Sequence, residues 1–468
     1  MLQFACVHST GTARSASSRR PEHPLSKIRL VRPAYVENLR CIGSACEETC
    51  CQVWSVPVDR VAYEKLQALP ASPLRTLIDA SILLAPQDDS NTGGFGPEGF
   101  AKIRMTASNM CPLLTEERLC LIQAQCGEGL LPQVCATYPR IVRSIGGIEE
   151  KALALSCPEA ARTLLLHPIE WKRLDPAHAA GAAGSGESWA PPHYWPIQAA
   201  VLEVVRNRTY PLWQRLILLG ILCHRLDALA NHKPQGDVPA FLAEFSAAVA
   251  AGTWRATIEI QPMDCGTQLD AVLRLAGLLL KKSIITPRFM ECVQAFGAGI
   301  GNGPNADLED LTSGYIAAHQ RNFAPFIKNN PLILENYLVN TILRCQFPFG
   351  RDGMKPGATP SMTREFEKLA AQFSLMRGLL IGVAGFHGAS FCADHVVHTV
   401  QSASKHFDHH PEFPRLAHEL LVESKLDGLL GISVLLRDPD QTAPRGISPA
   451  IDLPWPAIDK TDPKQMRV

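Results

Sequence analysis

Residues 41–51 read Cys41-Ile-Gly-Ser-Ala-Cys46-Glu-Glu-Thr-Cys50-Cys51, and four further cysteines answer them downstream at Cys111, Cys120, Cys135 and Cys157. Counting Cys126, nine of the fifteen cysteines fall between residues 41 and 157. Neighbouring side chains of an extended segment point opposite ways, so core packing does not explain the pair Cys50-Cys51. Thiolates are soft, anionic ligands. A reduced, cysteine-dense segment is therefore expected to hold a metal or an iron–sulfur cluster.

Working outward, the sequence around this block is irregular. Asp59 is expected to cap a helix with Val61, Leu66 and Leu69 on one face. Residues 86–99 read as a loop, and Phe100 to Met105 alternates apolar and polar like a short strand. A helix is expected over Glu128–Val134. Ile141 to Ile148 reads as a hairpin turning at Gly146-Gly147, and Pro158 opens a helix.

The second half carries helical periodicity. Leu212, Leu216, Leu219, Cys223 and Leu226 recur on one face of a helix opened by Pro211. Helices are expected over 196–207, 211–230, 239–250, 267–282, 286–297, 305–320, 331–345, 362–382, 393–405 and 413–428. The fold class that follows is mainly α: an irregular cysteine-rich, cluster-binding domain with short strands, then a helical bundle. The expected organisation is a disordered tail over 1–26, the cysteine-rich metal or iron–sulfur domain over 27–173, an Ala/Gly/Ser/Pro-rich linker over 174–193, the helical domain over 194–436 and a Pro-rich tail over 437–468.

Composition narrows the function classes. Lys+Arg and Asp+Glu balance at 45 each, without the basic excess of a nucleic-acid binder. The N-terminal residues lack the apolar run of a signal peptide, and no stretch approaches about 18 uninterrupted apolar residues, so neither secretion nor membrane insertion is expected. The expected place is the cytoplasm, where an odd cysteine count and reducing conditions argue against structural disulfides. The isolated Cys223, Cys265, Cys292, Cys345 and Cys392 read as small buried hydrophobes.

The candidate metal ligands are Cys41, Cys46, Cys50, Cys51, Cys111, Cys120, Cys135 and Cys157. A cubane cluster commonly takes four thiolates and a structural zinc takes four ligands, so the set serves one cluster with spare thiols or two metal sites. Cys111-Pro112 and Cys157-Pro158 put cysteines at chain turns, where free backbone N–H groups can bond sulfur. The spacing is not the C-x3-C-x2-C of radical enzymes, since position 53 is Val, and no redox C-x2-C is present. Gly93 to Gly99 does not open a helix after a strand and reads as a surface loop rather than a donor-binding turn. Glu47 and Glu48 are expected to be solvated. His395, His398, His406, His409 and His410 are expected on the surface. Arg140 is weighed equally as a carboxylate clamp and as a local tie, and Asn336 and Asn340 as helix cross-links.

These residues also carry a resemblance. Tyr35-x5-Cys41-Ile-Gly-Ser-x-Cys46-Glu-x-Thr-Cys50-Cys51 resembles the opening of the bacterial flagellin lysine-N-methylases. Cys111-Pro-Leu-Leu, Leu119-Cys120-Leu-Ile-Gln, Cys135-x-Thr-Tyr-Pro-Arg140 and Leu155-Ser-Cys157-Pro-Glu-Ala-Ala-Arg162 are similar to the same family. So are Glu335-Asn-Tyr-Leu-Val-Asn340 and Phe347-Pro-Phe349. The first half also resembles the broader zinc- or iron-chelating cysteine family. The resemblance runs over about residues 28–430. It implies N-methylation of flagellin lysines with S-adenosylmethionine as donor and a [4Fe-4S] cluster, zinc or another iron site being the alternative. It leaves catalytic and donor-binding residues unassigned and the oligomeric state open. The rival readings are a non-catalytic metal-chelating protein with a helical interaction module and a redox protein.

Overall fold

The computed structural model describes residues 31–439, apart from 53, 55, 86–99, 174–189, 232–236, 283–284 and 411. The expected tail at 1–26, all but the first three residues of the expected tail at 437–468, the loop at 86–99 and nearly all of the expected linker lie outside the described residues.

The first half is built from short pieces. Strands β1 (Val31–Pro33), β2 (Val56–Val58), β3 (Ile82–Leu84), β4 (Ala101–Ile103), β5 (Arg140–Ile145), β6 (Ile148–Leu153) and β7 (Trp171–Arg173) form three small antiparallel sheets, ordered β1-β7, β2-β4-β3 and β5-β6. Alternation decides which side chains go inward. Val56 and Val58 of β2 and Ala101 and Ile103 of β4 point into a small core with Leu66, Ile78, Leu113 and Ile122. The hairpin turns at Gly146 and Gly147, both at positive φ, as the sequence requires.

Asp59 caps the helix Arg60–Gln67 by accepting from Ala62 N at 2.9 Å. The buried positions of that helix are Ala62 and Leu66, whereas Val61 is 61% exposed, so the expected face is rotated by one residue. The helix expected over Glu128–Val134 is two pieces, a 3-10 turn Glu128–Leu130 and the helix Gln133–Thr137. Pro132 separates them, because the residue before a proline is held out of helical geometry. Helices outside the expected set include two of nine residues, Pro73–Ser81 and Gly428–Leu436, and shorter ones such as Leu121–Cys126 and Arg255–Glu259.

The second half is helical as expected. Its centre is the helix Met362–His387, buried on almost every side. The span Met362–Ser390 is long and apolar enough to cross a membrane by length and composition, but 83% of its apolar window lies inside the protein, as in the core helix of a folded domain. It crosses the helix Pro287–Gly299 at backbone contact: a Cβ on Gly385 or Gly299 would strike the other helix's main chain. The hairpin β5-β6 and the helix Pro158–Leu166 share this large core through Ile145, Leu153, Leu164 and Leu165. Hence the segment carrying Cys157 is packed directly on the helical half.

Polar ties fix that packing. The helix Leu332–Cys345 presents Asn336 to the carbonyls of Leu164 and His167, and Asn340 to the backbone of Leu153. Glu335, buried, receives Arg208 and Arg215 at 2.7 Å each. These family-like positions are therefore structural cross-links.

Candidate metal centre

Each candidate cysteine is set by a local backbone device. Cys41 and Cys46 flank the 3-10 turn Gly43–Ala45, and Gly43 N donates to Cys41 Sγ at 3.4 Å. Cys51 and Cys111 are brought side by side by Cys111 N donating to Cys51 O at 2.9 Å and by the bridge between Gln52 and Met110. A tight turn through Arg118 returns the chain so that Cys120 pairs with Leu114 and leads the helix Leu121–Cys126. Asp59 caps a second helix with its other oxygen, accepting from Gln133 N at 2.9 Å, which fixes the short helix bearing Cys135. Cys157 is the N-cap of Pro158–Leu166.

Four chain segments bring the eight thiols into one region. Cys50 Sγ stands 4.0 Å from Cys51 Sγ, and the Cys51 thiol interacts with both Cys111 and Cys50. Cys46 lies in the field of Cys41 and Cys50, Cys135 in that of Cys120, Cys111 and Cys50, and Cys157 in that of Cys46 and Cys50. Cys126, like Cys120 and Cys135, packs on the small core.

The thiols differ in how readily they ionise. A hydrogen bond from Cys51 lowers Cys50 to about 7, with help from Lys405. The bond with Cys51 also lowers Cys111, while bonds to Cys111 and Cys50 push Cys51 up. Burial pushes Cys135 and Cys157 up to about 12 and raises Cys46 and Cys120. Backbone N–H groups oppose burial at three of the turns: Leu113 at Cys111, Ile122 and Gln123 at Cys120, Glu159 and Ala160 at Cys157. These N–H···S contacts are the kind expected of metal-bound sulfur.

Among the described residues, no three His, Cys, Asp or Glu side chains are arranged to hold a single metal ion. One zinc would draw its sulfurs to about 2.3 Å from a common centre. A cluster of several iron and sulfide atoms holds its thiolates farther apart. In chemistry, thiols drawn from four chain segments, some already bonded by backbone N–H groups, fit a soft metal or cluster.

Several other expectations are corrected. Glu48 is buried, not solvated: Gln401 Nε2 donates to it at 2.5 Å and Lys405 Nζ lies 3.3 Å away. Glu47 is exposed, as expected, and pairs with Arg162. His406 is not on the surface either; it is buried against Phe289, with its Nδ1 2.7 Å from Ser402 O. His395 stacks on His387, and His398 sits 3.7 Å from Glu291. Arg140 donates to Leu39 O at 2.8 Å and is a local tie. His409 is 2.8 Å from Ser156 Oγ, which also contacts the Tyr138 hydroxyl at 3.1 Å, and Trp54 stacks on both rings. Trp54, Ser156, Gln401 and Lys405 thus border the thiols, although no pattern in their sequence marks them.

The helical half that frames this site matches, over residues 198–435, the FliB lysine N-methylase C-terminal domain. That match spans just over half of the chain. The chain belongs to the FliB lysine N-methylase family. Its relatives include the flagellar biosynthetic protein FliU of Salmonella muenchen, 30% identical over 145 residues, or 31% of this chain and 81% of that protein. Lysine-N-methylases of Salmonella choleraesuis and Salmonella typhimurium are also 30% identical over 145 residues, covering 34% of each. The match thus spans about a third of the length of these two lysine N-methylases. No solved structure matches the fold. Membership places the chain in a family of methyltransferases, and the matched residues, 198–435, lie beyond the cysteine block.

Proposed function

We propose that this FliB-family chain transfers methyl groups from S-adenosylmethionine to lysine side chains of flagellin, with a [4Fe-4S] cluster held by thiols of the site above. The observation that carries the reading is a set of eight cysteines from four chain segments, joined to a lysine N-methylase helical domain through Glu48, Thr49 and Ser156. The names of the relatives point to a flagellar substrate.

The chemistry sets demands on the protein. A free lysine amine has a pKa of about 10.4 and is protonated at neutral pH. It must lose that proton before its nitrogen forms a bond to the methyl carbon while the carbon–sulfur bond breaks and the sulfur keeps the electron pair. Desolvation and a nearby acceptor favour the neutral amine, and alignment of the two reactants supplies much of the rate. When bound, a cluster would supply a rigid anchor and iron that can accept an electron pair as a Lewis acid. Cys41, Cys46, Cys50, Cys51, Cys111, Cys120, Cys135 and Cys157 are the residues from which its ligands would be drawn. The exposed Cys50 opens the site to solvent beside the partly exposed Trp54.

The test is the intact mass of flagellin after incubation with anaerobically purified protein and S-adenosylmethionine. A ladder of methyl additions is expected. An unchanged mass with folded, metal-loaded protein would transfer the reading to a non-catalytic chelating role.

A further inference from the structure

The last two turns of the helix Ala393–Phe407 are buried against the cysteine block. Gln401 Nε2 donates at 2.5 Å to Glu48, between Cys46 and Cys50, and at 3.0 Å to the carbonyl of Ser156, which precedes Cys157. Lys405 Nζ, one turn on, donates at 3.0 Å to Thr49 O and lies 3.3 Å from Glu48. Lys405 is 5% exposed and Glu48 7%. Taking both charges out of water is costly, and an apolar pair of similar volume would pack the same space at less expense. A second cation, Arg288, lies behind them with Nε 3.3 Å from Gln401 Oε1.

We propose that Lys405 is a positioning residue for the thiol site: tied to Glu48 and Thr49 O, it clamps the 46–51 loop onto the helical domain and so holds Cys46, Cys50 and Cys51 in place. This rests on the reading that the thiols hold metal. The argument is geometric, since one helix binds the backbone or side chains of residues 48, 49 and 156, each beside a candidate ligand.

The experiment compares full-length wild type, Lys405→Met, Lys405→Arg and Glu48→Gln, each purified anaerobically. The readings are bound iron and the rate at which a ferrous chelator removes it. The clamp predicts that Lys405→Met loses iron about tenfold faster or more, the usual scale for outer partners of a metal site. Lys405→Arg, which can still donate to Thr49 O, should restore most of the retention. Glu48→Gln should lose much less iron than Lys405→Met, because its side-chain oxygen can still accept from Lys405 and the bond to Thr49 O is untouched. Retention by Lys405→Met equal to wild type overturns the proposal and spares the metal reading. Equal loss in Glu48→Gln and Lys405→Met reduces the contact to ordinary packing and also overturns it. If Lys405→Met does not fold, the arginine and Glu48→Gln variants decide by the same comparison. A wild-type chain that binds no iron overturns the metal reading and this proposal with it.

Discussion

The Asn340 side chain bonds both backbone groups of Leu153: Oδ1 accepts from Leu153 N at 2.8 Å and Nδ2 donates to Leu153 O at 2.9 Å. It acts as one residue of an added strand beside β6, and the Tyr35 hydroxyl donates to the same Oδ1 at 2.9 Å. Three buried polar groups from the N-terminal segment and the hairpin thus close on one side chain of the helical half.

Asn340→Ala leaves those three groups without partners. At about 1–3 kcal/mol for each buried unsatisfied group, the variant should lose at least about 3 kcal/mol in urea unfolding. A loss below about 1 kcal/mol would mean that water replaces the amide and that the cross-link is not structural.

The crossing of Pro287–Gly299 with the central helix tolerates no side chain. A Cβ at Gly385 would meet the backbone of Gly299 and the Ala318 side chain, and one at Gly382 would meet Phe296. Gly385→Ala should therefore cost about 3 kcal/mol or more, at the upper end of overpacking effects. Gly388→Ala is the contrast for space, since nothing lies near its Cβ, although its positive φ adds strain. Equal thermal stability of Gly385→Ala and wild type would show that the helices can separate freely.

Glu150 gives the stability a pH slope. It is buried on β6, its Oε1 accepting from Tyr194 at 2.8 Å and Gln198 at 3.1 Å, and burial raises it to about 7. In the unfolded chain an ordinary glutamate ionises near 4.3. Between those values the folded state holds the extra proton. This contribution is therefore fully present below about pH 4 and is lost as pH rises through about 7, on the order of 3 kcal/mol in all. Denaturation series at pH 5 and pH 8 on wild type and Glu150→Gln would read it. The substitution should flatten that component, and an unchanged pH dependence would place the effect elsewhere.

The thiols should separate into two groups by metal retention. Cys51→Ser and Cys111→Ser should lower bound metal severely, because the backbone pairing of their segments sets these two thiols side by side. Cys126→Ser should keep its metal. Equal loss in all three would place Cys126 among the ligands and redraw the site.

Much of this was legible in sequence where a residue's own chemistry or its near neighbours decide. The cysteines are marked by type and density, Asp59 by its capping chemistry, the hairpin by Gly146-Gly147, and the helices by their apolar spacing. Residues whose role depends on distant partners were not. Glu48 reads as a solvated acid until Gln401 and Lys405, more than 350 residues away, cover it. Val61 fits the expected apolar face as well as Ala62 does, and only packing chooses between them. Nothing in the order of residues announces that Ser156, Trp54 and His409 meet.

The most direct test of the account is transfer of an isotope-labelled methyl group from S-adenosylmethionine to flagellin, mapped by peptide mass spectrometry for wild type and Cys111→Ser. The account predicts label on flagellin lysines with wild type and little or none with the variant. Label that is absent with metal-loaded wild type, or equal with both, would contradict a methyl-transfer site built on these thiols.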